Sequence, residues 1–162
     1  MSNTRRLASE FDSAGASPGL LLWQVTNRWQ AAQRAALKPF GLTHVQFVLL
    51  ASLAWLETDG PITQRGLADH AATDPMMTSQ VLRALEREGL VERRPHPSDG
   101  RAHVLAVTAA GAELANRAVV AVERCDRDFF APLEGEVPQL ARLLRELLAS
   151  NGEGGIRTRD GV

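Results

Sequence analysis

Residues 62–111 decide the fold of this 162-residue chain and read ITQRGLADHAATDPMMTSQVLRALEREGLVERRPHPSDGRAHVLAVTAAG. A threonine suited to N-capping opens a short helical pattern over residues 63–70. A second helical pattern follows a tight turn and spans residues 74–89. The apolar period then changes to that of two strands, 90–94 and 102–107, separated by a turn rich in proline and glycine. The stretch therefore predicts a helix-turn-helix followed by a β-hairpin, the wing.

The second helix of this motif has one polar face. Thr73 or Asp74 caps it, and Pro75 follows, since proline is tolerated in a first helical turn. The positions that face inward by their spacing are Thr78, Val81, Leu82 and Leu85. The opposite face carries Met76, Ser79, Gln80, Arg83 and Arg87. These groups can meet base edges and phosphates in a major groove, although a solvated amphipathic helix would carry a similar set.

The wing is rich in arginine. Its basic side chains lie within nine residues and are Arg93, Arg94, His96 and Arg101. Arginine suits a narrow minor groove, because its flat and weakly hydrated charge can enter where the phosphate potential is most negative. Asp99 precedes Arg101 by two residues and is expected to orient the Arg101 guanidinium, the alternative being an exposed ion pair of little energetic weight. The candidate DNA-binding residues are Thr63, Gln64, Met76, Ser79, Gln80, Arg83, Arg94, Asp99 and Arg101.

Helical patterns flank the motif on both sides. Apolar residues recur at three- and four-residue spacing over residues 20–37 and 45–56 before the motif, and from a cap at Thr108 to about Phe130 after it. A last pattern over residues 137–148 carries a leucine stripe. The expected fold class is mainly α with a small β-hairpin wing: a winged helix-turn-helix with N- and C-terminal dimerisation helices. The expected organisation is a flexible arm (1–19), one unit (20–148) with dimerisation helices (20–41 and 109–148) around a DNA-binding lobe (43–107), and a disordered tail (149–162).

Bulk composition excludes several function classes. The chain is 44% hydrophobic with a formal net charge of -1, so a nucleic-acid hypothesis rests on where the charges lie. No apolar run approaches a membrane span, and the N-terminus lacks the apolar segment of a secretion signal. With Cys125 as its only cysteine, the chain forms no internal disulfide, which fits a cytoplasmic protein. The histidines show no metal-site spacing, and no phosphate-binding loop or nucleophile motif occurs, so we expect neither a cofactor, a metal nor an enzyme.

The stretch quoted above resembles the winged helix-turn-helix of the MarR (multiple antibiotic resistance regulator) family. The preceding GLTHVQFVLLASL, residues 41–53, resembles that family's second helix, and the resemblance covers roughly residues 20–148. Its most specific element is the wing sequence from Asp99 to Ala102, in which the family's Asp-x-Arg pair implies a minor-groove role for Arg101. Gly66 and the Pro75–Met77 opening of the second helix depart from the residues usual in the family, which concerns base preference rather than fold.

The resemblance also implies assembly and regulation. A symmetric homodimer, in which the leucines of the last helix are buried against the mate, would repress transcription from a pseudo-palindromic operator with half-sites about 10 bp or a multiple apart. Members of the family often release DNA when a small phenolic or aromatic acid binds. Candidate residues for an effector site of this kind are Trp23, Trp29, His44 and Phe47. Each of these aromatic residues could equally belong to the core, while an imidazole among aromatics could hydrogen-bond a carboxylate or phenol.

Two other functions stay open from the residues alone. Cys125 could make the protein a redox-responsive regulator, but it falls on the apolar stripe of the long helix, where a buried structural thiol is the simpler interpretation. A winged helix can also serve protein contacts, since a fold does not by itself determine function. Arginines grouped around the turn of the wing favour DNA over a protein partner.

Overall fold

The computed structural model describes residues 7–152. This part of the chain contains six α-helices and one antiparallel hairpin, and the expected fold class is confirmed. The elements are α1 (Pro18–Leu37), α2 (His44–Leu56), α3 (Gln64–Ala71), α4 (Pro75–Arg87), β1 (Val91–Pro95), β2 (His103–Val107), α5 (Ala109–Phe130) and α6 (Val137–Asn151). Single 3-10 turns occupy Ala14–Ala16, Lys38–Phe40 and Ala131–Glu136.

Side-chain caps determine where the helices of the lobe begin. The Thr43 hydroxyl accepts a hydrogen bond from the backbone N–H of Gln46 at 3.2 Å, and the Gln46 side chain accepts one from the Thr43 N–H at 2.9 Å, which is a capping box. Thr63 caps α3 as predicted. Of the two candidate caps for α4, the structure uses Asp74, whose Oδ1 accepts from the N–H groups of Met76 and Met77, both at 2.9 Å.

The turn between α3 and α4 and the end of α4 both use left-handed backbone. Ala72 has φ of 52°, a conformation that places its Cβ close to the following carbonyl. Gly89 adopts φ of 71° directly after α4, where glycine meets no such penalty. These two residues redirect the chain from α3 into α4 and from α4 into β1.

The wing is a two-stranded ladder with a third point of attachment. Val91 pairs with Val107, and Pro95 with His103. The Leu105 N–H donates to the Ile62 carbonyl at 2.8 Å, which forms an isolated bridge just before α3. Both strands begin one residue later than predicted, at Val91 and His103. β1 also ends one residue later, at Pro95, which pairs with His103; a proline, which has no N–H, is tolerated on an edge strand. The Ile62 bridge was not predicted.

α5 begins against the junction of α4 and β1. The Thr108 hydroxyl donates to the Gly89 carbonyl at 2.6 Å and accepts from the Gly111 N–H at 3.0 Å. A Cβ added at Gly111 would lie 2.0 Å from the Leu90 carbonyl oxygen, a distance that no real contact tolerates. Gly111 therefore allows the first turn of α5 to approach the backbone of the lobe.

Leucines from α1 to α4 form the centre of the lobe. The fully buried leucines lie on the inner faces of their helices, and they are Leu37, Leu49, Leu50, Leu53, Leu67, Leu82 and Leu85. α1 contributes only its C-terminal end to this core, since Gln33 and Leu37 are its buried residues. The N-terminal half of α1 is exposed.

Two compact units make up the chain, Met1–Cys125 and Asp126–Val162. The first contains the lobe and α1, and within the second α6 has no buried residue. Apolar side chains of α6 that are exposed include Leu143, Leu144, Leu147 and Leu148.

The described termini differ from the expected arm and tail. α1 starts at Pro18 rather than Leu20, because the Ser17 hydroxyl accepts from the Leu20 N–H and proline is preorganised for a first helical position. α6 continues to Asn151, so the assignment of residues 149–151 to a disordered tail is wrong; the Asn151 side chain donates to the Leu147 carbonyl at 2.8 Å. The rest of the predicted arm, residues 1–6, and of the predicted tail, residues 153–162, lies outside the described residues.

Between residues 7 and 152, no single helix is long and apolar enough to cross a membrane. The segments Pro18–Phe40 and His44–Leu56 reach the required length and composition only as a pair, and the pair is bent by 77°.

Candidate nucleic-acid interface

The two faces of α4 divide as the spacing predicts. Thr78, Leu82 and Leu85 are buried in the lobe. The other face is exposed at Gln80 and Arg83, and Met76 is 72% exposed although it is apolar. An exposed methionine beside an amide and a guanidinium provides both apolar and hydrogen-bonding groups on one helical surface. Such a surface has the chemistry that base edges require, including the thymine methyl.

A hydrogen bond within α4 orients one of these side chains. Arg83 Nη2 donates to the hydroxyl of Ser79 at 3.0 Å, one helical turn earlier. Ser79 itself is half-buried. The bond draws the guanidinium toward the N-terminal part of α4, the part that contacts base edges when a helix of this motif lies in a major groove.

The turn of the wing, residues 96–102, is held by its own hydrogen bonds and is called the wing tip below. The His96 N–H donates to the Ala102 carbonyl at 3.0 Å, and the Ala102 N–H donates to the Asp99 carbonyl at 3.2 Å. His96 Nδ1 accepts from the Ser98 N–H at 3.1 Å. These bonds stiffen the loop, which presents Arg101 to solvent at its end.

Asp99 contacts Arg101 in a different way from the one expected. Its Oδ1 accepts a hydrogen bond from the backbone N–H of Arg101 at 3.0 Å. No ion pair joins the two side chains within residues 7–152. An aspartate side chain reaches the N–H two residues ahead more easily than a guanidinium that turns back on it, which is the geometry of an Asx turn. Asp99 thus shapes the loop, and the expected orientation of the guanidinium is wrong.

The other two wing arginines have acidic partners. Arg94 binds the carboxylate of Glu92 on the same strand, with Nε at 2.7 Å from Oε1. Arg93 Nε lies 2.5 Å from Glu86 Oε1. Among the three wing arginines, only Arg101 lacks an acidic partner in the described chain.

Thr63 and Gln64, the candidates at the start of α3, have intramolecular roles. The Thr63 hydroxyl accepts from the Gly66 N–H at 3.1 Å as the N-cap. Gln64 Oε1 accepts from Arg93 Nη2 at 2.8 Å. The amide and hydroxyl groups that the sequence offered for DNA are thus used, at least in part, to hold α3 and the wing.

The four candidate effector residues do not share one location. Trp29 and His44 are in edge-to-face contact, with ring centroids 5.0 Å apart and planes at 71°. Phe47 is a core residue at 6% exposure, whereas Trp23 is 68% exposed. Trp23 and Trp29 are six residues apart in α1, a rotation of about 240° around the helix, so they face different directions. The structure therefore brings together Trp29 and His44 but not Trp23.

Other reactive groups are sparse in the described chain. Cys125 is half-buried in α5. No cluster of three or more histidine, cysteine or acidic side chains that could hold a metal ion occurs between residues 7 and 152.

The sequence of this chain is similar to known transcriptional regulators. The model of the MarR family matches residues 42–103. The chain is 44% identical over 124 residues to the uncharacterized HTH-type transcriptional regulator YdcH of Bacillus subtilis (strain 168), a match that covers 76% of this chain and 84% of YdcH. It is 35% identical over 133 residues to the HTH-type transcriptional repressor Rv2887 of Mycobacterium tuberculosis, with 82% of this chain and 94% of the repressor covered.

The fold is similar to solved structures of such regulators. CouR from Rhodococcus jostii RHA1, bound to p-coumaroyl-CoA, superposes with a TM-score of 0.76 at 27% identity and covers 90% of this chain and 99% of CouR. A mutant MarR from E. coli complexed with operator DNA superposes with a TM-score of 0.71 at 26% identity, covering 80% of this chain and 92% of that protein.

Proposed function

The chain belongs to the MarR family of helix-turn-helix transcriptional regulators, and we propose that it acts in the cytoplasm as a homodimeric repressor on a pseudo-palindromic operator. The observation that carries the proposal is the combination of an exposed, polar α4 face with a stiff wing tip that ends in the exposed Arg101. Repression is supported by the likeness to Rv2887, which is named a repressor.

In this proposal α4 is the recognition helix and lies in the major groove. Gln80 and Arg83 meet base edges, and Met76 contacts a thymine methyl or a sugar. The wing tip reaches the adjacent minor groove with Arg101, whose charge has no acidic partner in the described chain to compete with the phosphates. The MarR structure with operator DNA supports this mode of binding.

The homodimer is supported by apolar surface in each of the two units. Consecutive residues Leu20 to Trp23 of α1 are exposed, and so are four leucines of α6. Apolar area left in water costs about 25 cal/mol per square ångström, and patches of this kind mark interaction surfaces. A second copy would cover both patches and would provide two recognition helices for half-sites about 10 bp or a multiple apart.

We further propose that a small aromatic acid or a related ester releases the DNA. The edge-to-face pair of Trp29 and His44 supports this part, because an imidazole held by an indole can meet a carboxylate or phenol while the rings contact the aromatic body. CouR carries p-coumaroyl-CoA in its structure. Calorimetry with p-coumarate and p-coumaroyl-CoA, on wild type and His44→Ala, tests it; heat that is equal in both proteins would contradict a role for His44.

Selection of bound duplexes from a random pool tests the DNA-binding function. We expect an enriched inverted repeat, bound by two subunits in light scattering of the complex. A variant with Gln80→Ala and Arg83→Ala is the matched control, since it keeps the wing and the core and removes two recognition-face groups. Absence of any enriched sequence at low salt, where phosphate contacts are strongest, would overturn the proposal.

A further inference from the structure

We propose that Arg93 is a positioning residue, which holds the wing against both helices of the helix-turn-helix and does not itself bind DNA. The proposal rests on the DNA-binding function above. It concerns the three side chains Arg93, Gln64 and Glu86, called the Arg93 clasp below.

The clasp joins three elements of the lobe. Arg93 lies on β1, paired across the ladder with Leu105 and outside the wing tip. Its Nε is 2.5 Å from Glu86 Oε1 on α4, and its Nη2 donates to Gln64 Oε1 on α3 at 2.8 Å. A single guanidinium thereby connects the wing to the first turn of α3 and to the last turns of the recognition helix.

The contacts of Arg93 depend on the planar guanidinium group, which lysine lacks. The Arg93 guanidinium donates a hydrogen bond from Nη2 to Gln64 Oε1, while its Nε forms an ion pair with Glu86 Oε1 without hydrogen-bond geometry, so one rigid planar group contacts two different elements. The side chains of Arg93 and Glu86 are 35% and 28% exposed, and the pair is therefore less screened by solvent than a fully exposed one. The charge of Arg93 is offset by Glu86 and one of its N–H donors is used by Gln64, so this guanidinium is less suited to a phosphate than that of Arg101.

The ion pair of Arg94 differs from that of Arg93 because both of its residues lie on the same strand. Arg94 binds Glu92, two residues away on the same strand, and this contact connects nothing outside β1. The Arg94 pair cannot determine how the wing is placed relative to α4, whereas the Arg93 pair can. Glu86 and Glu92 are thus both paired with an arginine of β1, but successive strand residues point to opposite faces, so the Arg93 pair and the Arg94 pair lie on opposite faces of β1 and differ in their structural consequences.

Replacing Glu86 and Glu92 in turn distinguishes positioning of the wing from a simple effect of charge on DNA binding. An acidic side chain near the DNA-binding surface repels phosphates, so its removal alone tightens binding. Glu92→Ala is expected to leave the affinity for the selected duplex unchanged or higher. Glu86→Ala is expected to weaken binding about threefold to tenfold, in spite of the lost negative charge, because the wing is no longer held.

Salt dependence separates positioning from direct contact. Each phosphate contact contributes about 0.9 to the slope of log K against log salt, so Arg101→Ala should lower the slope by about that amount. Arg93→Ala should weaken binding about as much as Glu86→Ala while the slope stays at the wild-type value. The double variant Arg93→Ala/Glu86→Ala should bind no more weakly than Arg93→Ala alone, because Arg93→Ala already removes the contact between Arg93 and Glu86.

Hydrogen exchange provides a readout without DNA. Amides of β1 and β2 should exchange faster in Arg93→Ala and Glu86→Ala than in wild type, and at the wild-type rate in Glu92→Ala, with equal helix content by circular dichroism in all four proteins. A lower salt slope for Arg93→Ala, tighter binding by Glu86→Ala, or unchanged wing exchange would overturn the proposal. A wild-type protein that binds no duplex would instead overturn the proposed function, and the exchange data would then decide whether Arg93 holds the wing.

Discussion

At the scale of single residues, Arg101 carries the proposed minor-groove contact. We expect Arg101→Ala to weaken operator binding at least about tenfold, which corresponds to about 1.4 kcal/mol, because the wing tip loses its only cation without an acidic partner in the described chain. Gel shifts at fixed salt measure the loss. Arg101→Lys should recover part of the affinity, since it keeps the charge without the flat shape; equal affinity of wild type and Arg101→Ala would contradict the contact.

Asp99 allows the loop role to be separated from the charge. Asp99→Ala removes the acceptor for the Arg101 N–H, and we expect weaker binding by a smaller factor than for Arg101→Ala. Asp99→Asn keeps a side-chain oxygen that can accept the same bond and removes a negative charge, so its affinity should equal or exceed that of wild type. Were Asp99→Asn as weak as Asp99→Ala, the carboxylate charge itself would be required.

Gly111 should tolerate no side chain. Its added Cβ would lie 2.0 Å from the Leu90 carbonyl oxygen and 3.0 Å from Cγ1 of Val107, and neither the backbone nor the ladder can move away cheaply. Gly111→Ala is expected to lower the free energy of unfolding by about 3 kcal/mol and the Tm by roughly 6–12 °C. Gly19→Ala, where nothing lies within 4 Å, is the control in the same thermal scans; a Gly111→Ala protein as stable as this control would contradict the close approach.

At the scale of elements, we expect α4 to determine which bases are preferred. Gln80→Ala and Arg83→Ala should each change the selected consensus, since a good base contact is worth roughly 1–3 kcal/mol. Arg87 lies one turn after Arg83, at the end of α4 away from the base-reading part, and Arg87→Ala should lower affinity without altering the consensus. An identical consensus for wild type, Gln80→Ala and Arg83→Ala would rule out base readout by this face.

Local chemistry accounts for most of what could be predicted about these elements. The caps Thr43 and Thr63 and the buried face of α4 followed from hydroxyl positions and from helical spacing, because both act within a few residues. The Ile62 bridge left no such signal, since a single extended residue has no period. The nine candidate DNA contacts stay predictions.

Long-range side-chain partners account for the remaining differences. Arg93 binds Gln64, which lies 29 residues earlier, and a pattern of charges shows that an arginine is present but not which acceptor it meets. The same applies to Asp99, for which spacing gave the right neighbour and the wrong atom, the backbone N–H instead of the guanidinium. Sequence patterns thus located the wing and the exposed polar face of α4, while the partners of their side chains required the fold.

At the scale of the whole molecule, the leucine stripe of α6 should control assembly. Leu147 is 56% exposed in the single chain, and Leu147→Glu would place a charge in the proposed dimer interface at a cost of about 3 kcal/mol or more. We expect a monomer or an aggregate in light scattering and loss of specific DNA binding, although Leu147 is not part of the proposed DNA-binding surface.

A glutamate on the other side of the same helix is the matched control. Ala149 lies on the side of Arg142 and Glu146, which form an ion pair at 2.5 Å. Ala149→Glu adds the same charge to α6 outside the leucine stripe, so it should leave the dimer intact. Dissociation by both variants to the same extent would show that charge alone, rather than burial of Leu147, breaks the assembly; a stable wild-type monomer at micromolar concentration would contradict the dimer.

The third attachment of the wing, the bridge to Ile62, should also favour solubility. An open strand edge with unpaired N–H groups is a template on which strands of other molecules can add, and this is a common route to aggregation. Here the Leu105 N–H is bound to Ile62 and the Val107 N–H to the Glu57 carboxylate at 3.0 Å. Because Thr63 turns the chain into α3 directly afterwards, the Ile62 segment cannot extend into a longer strand that would expose a new edge. The outer edge of β2 is thereby largely blocked, which should protect the hairpin from adding a foreign strand when the protein is crowded.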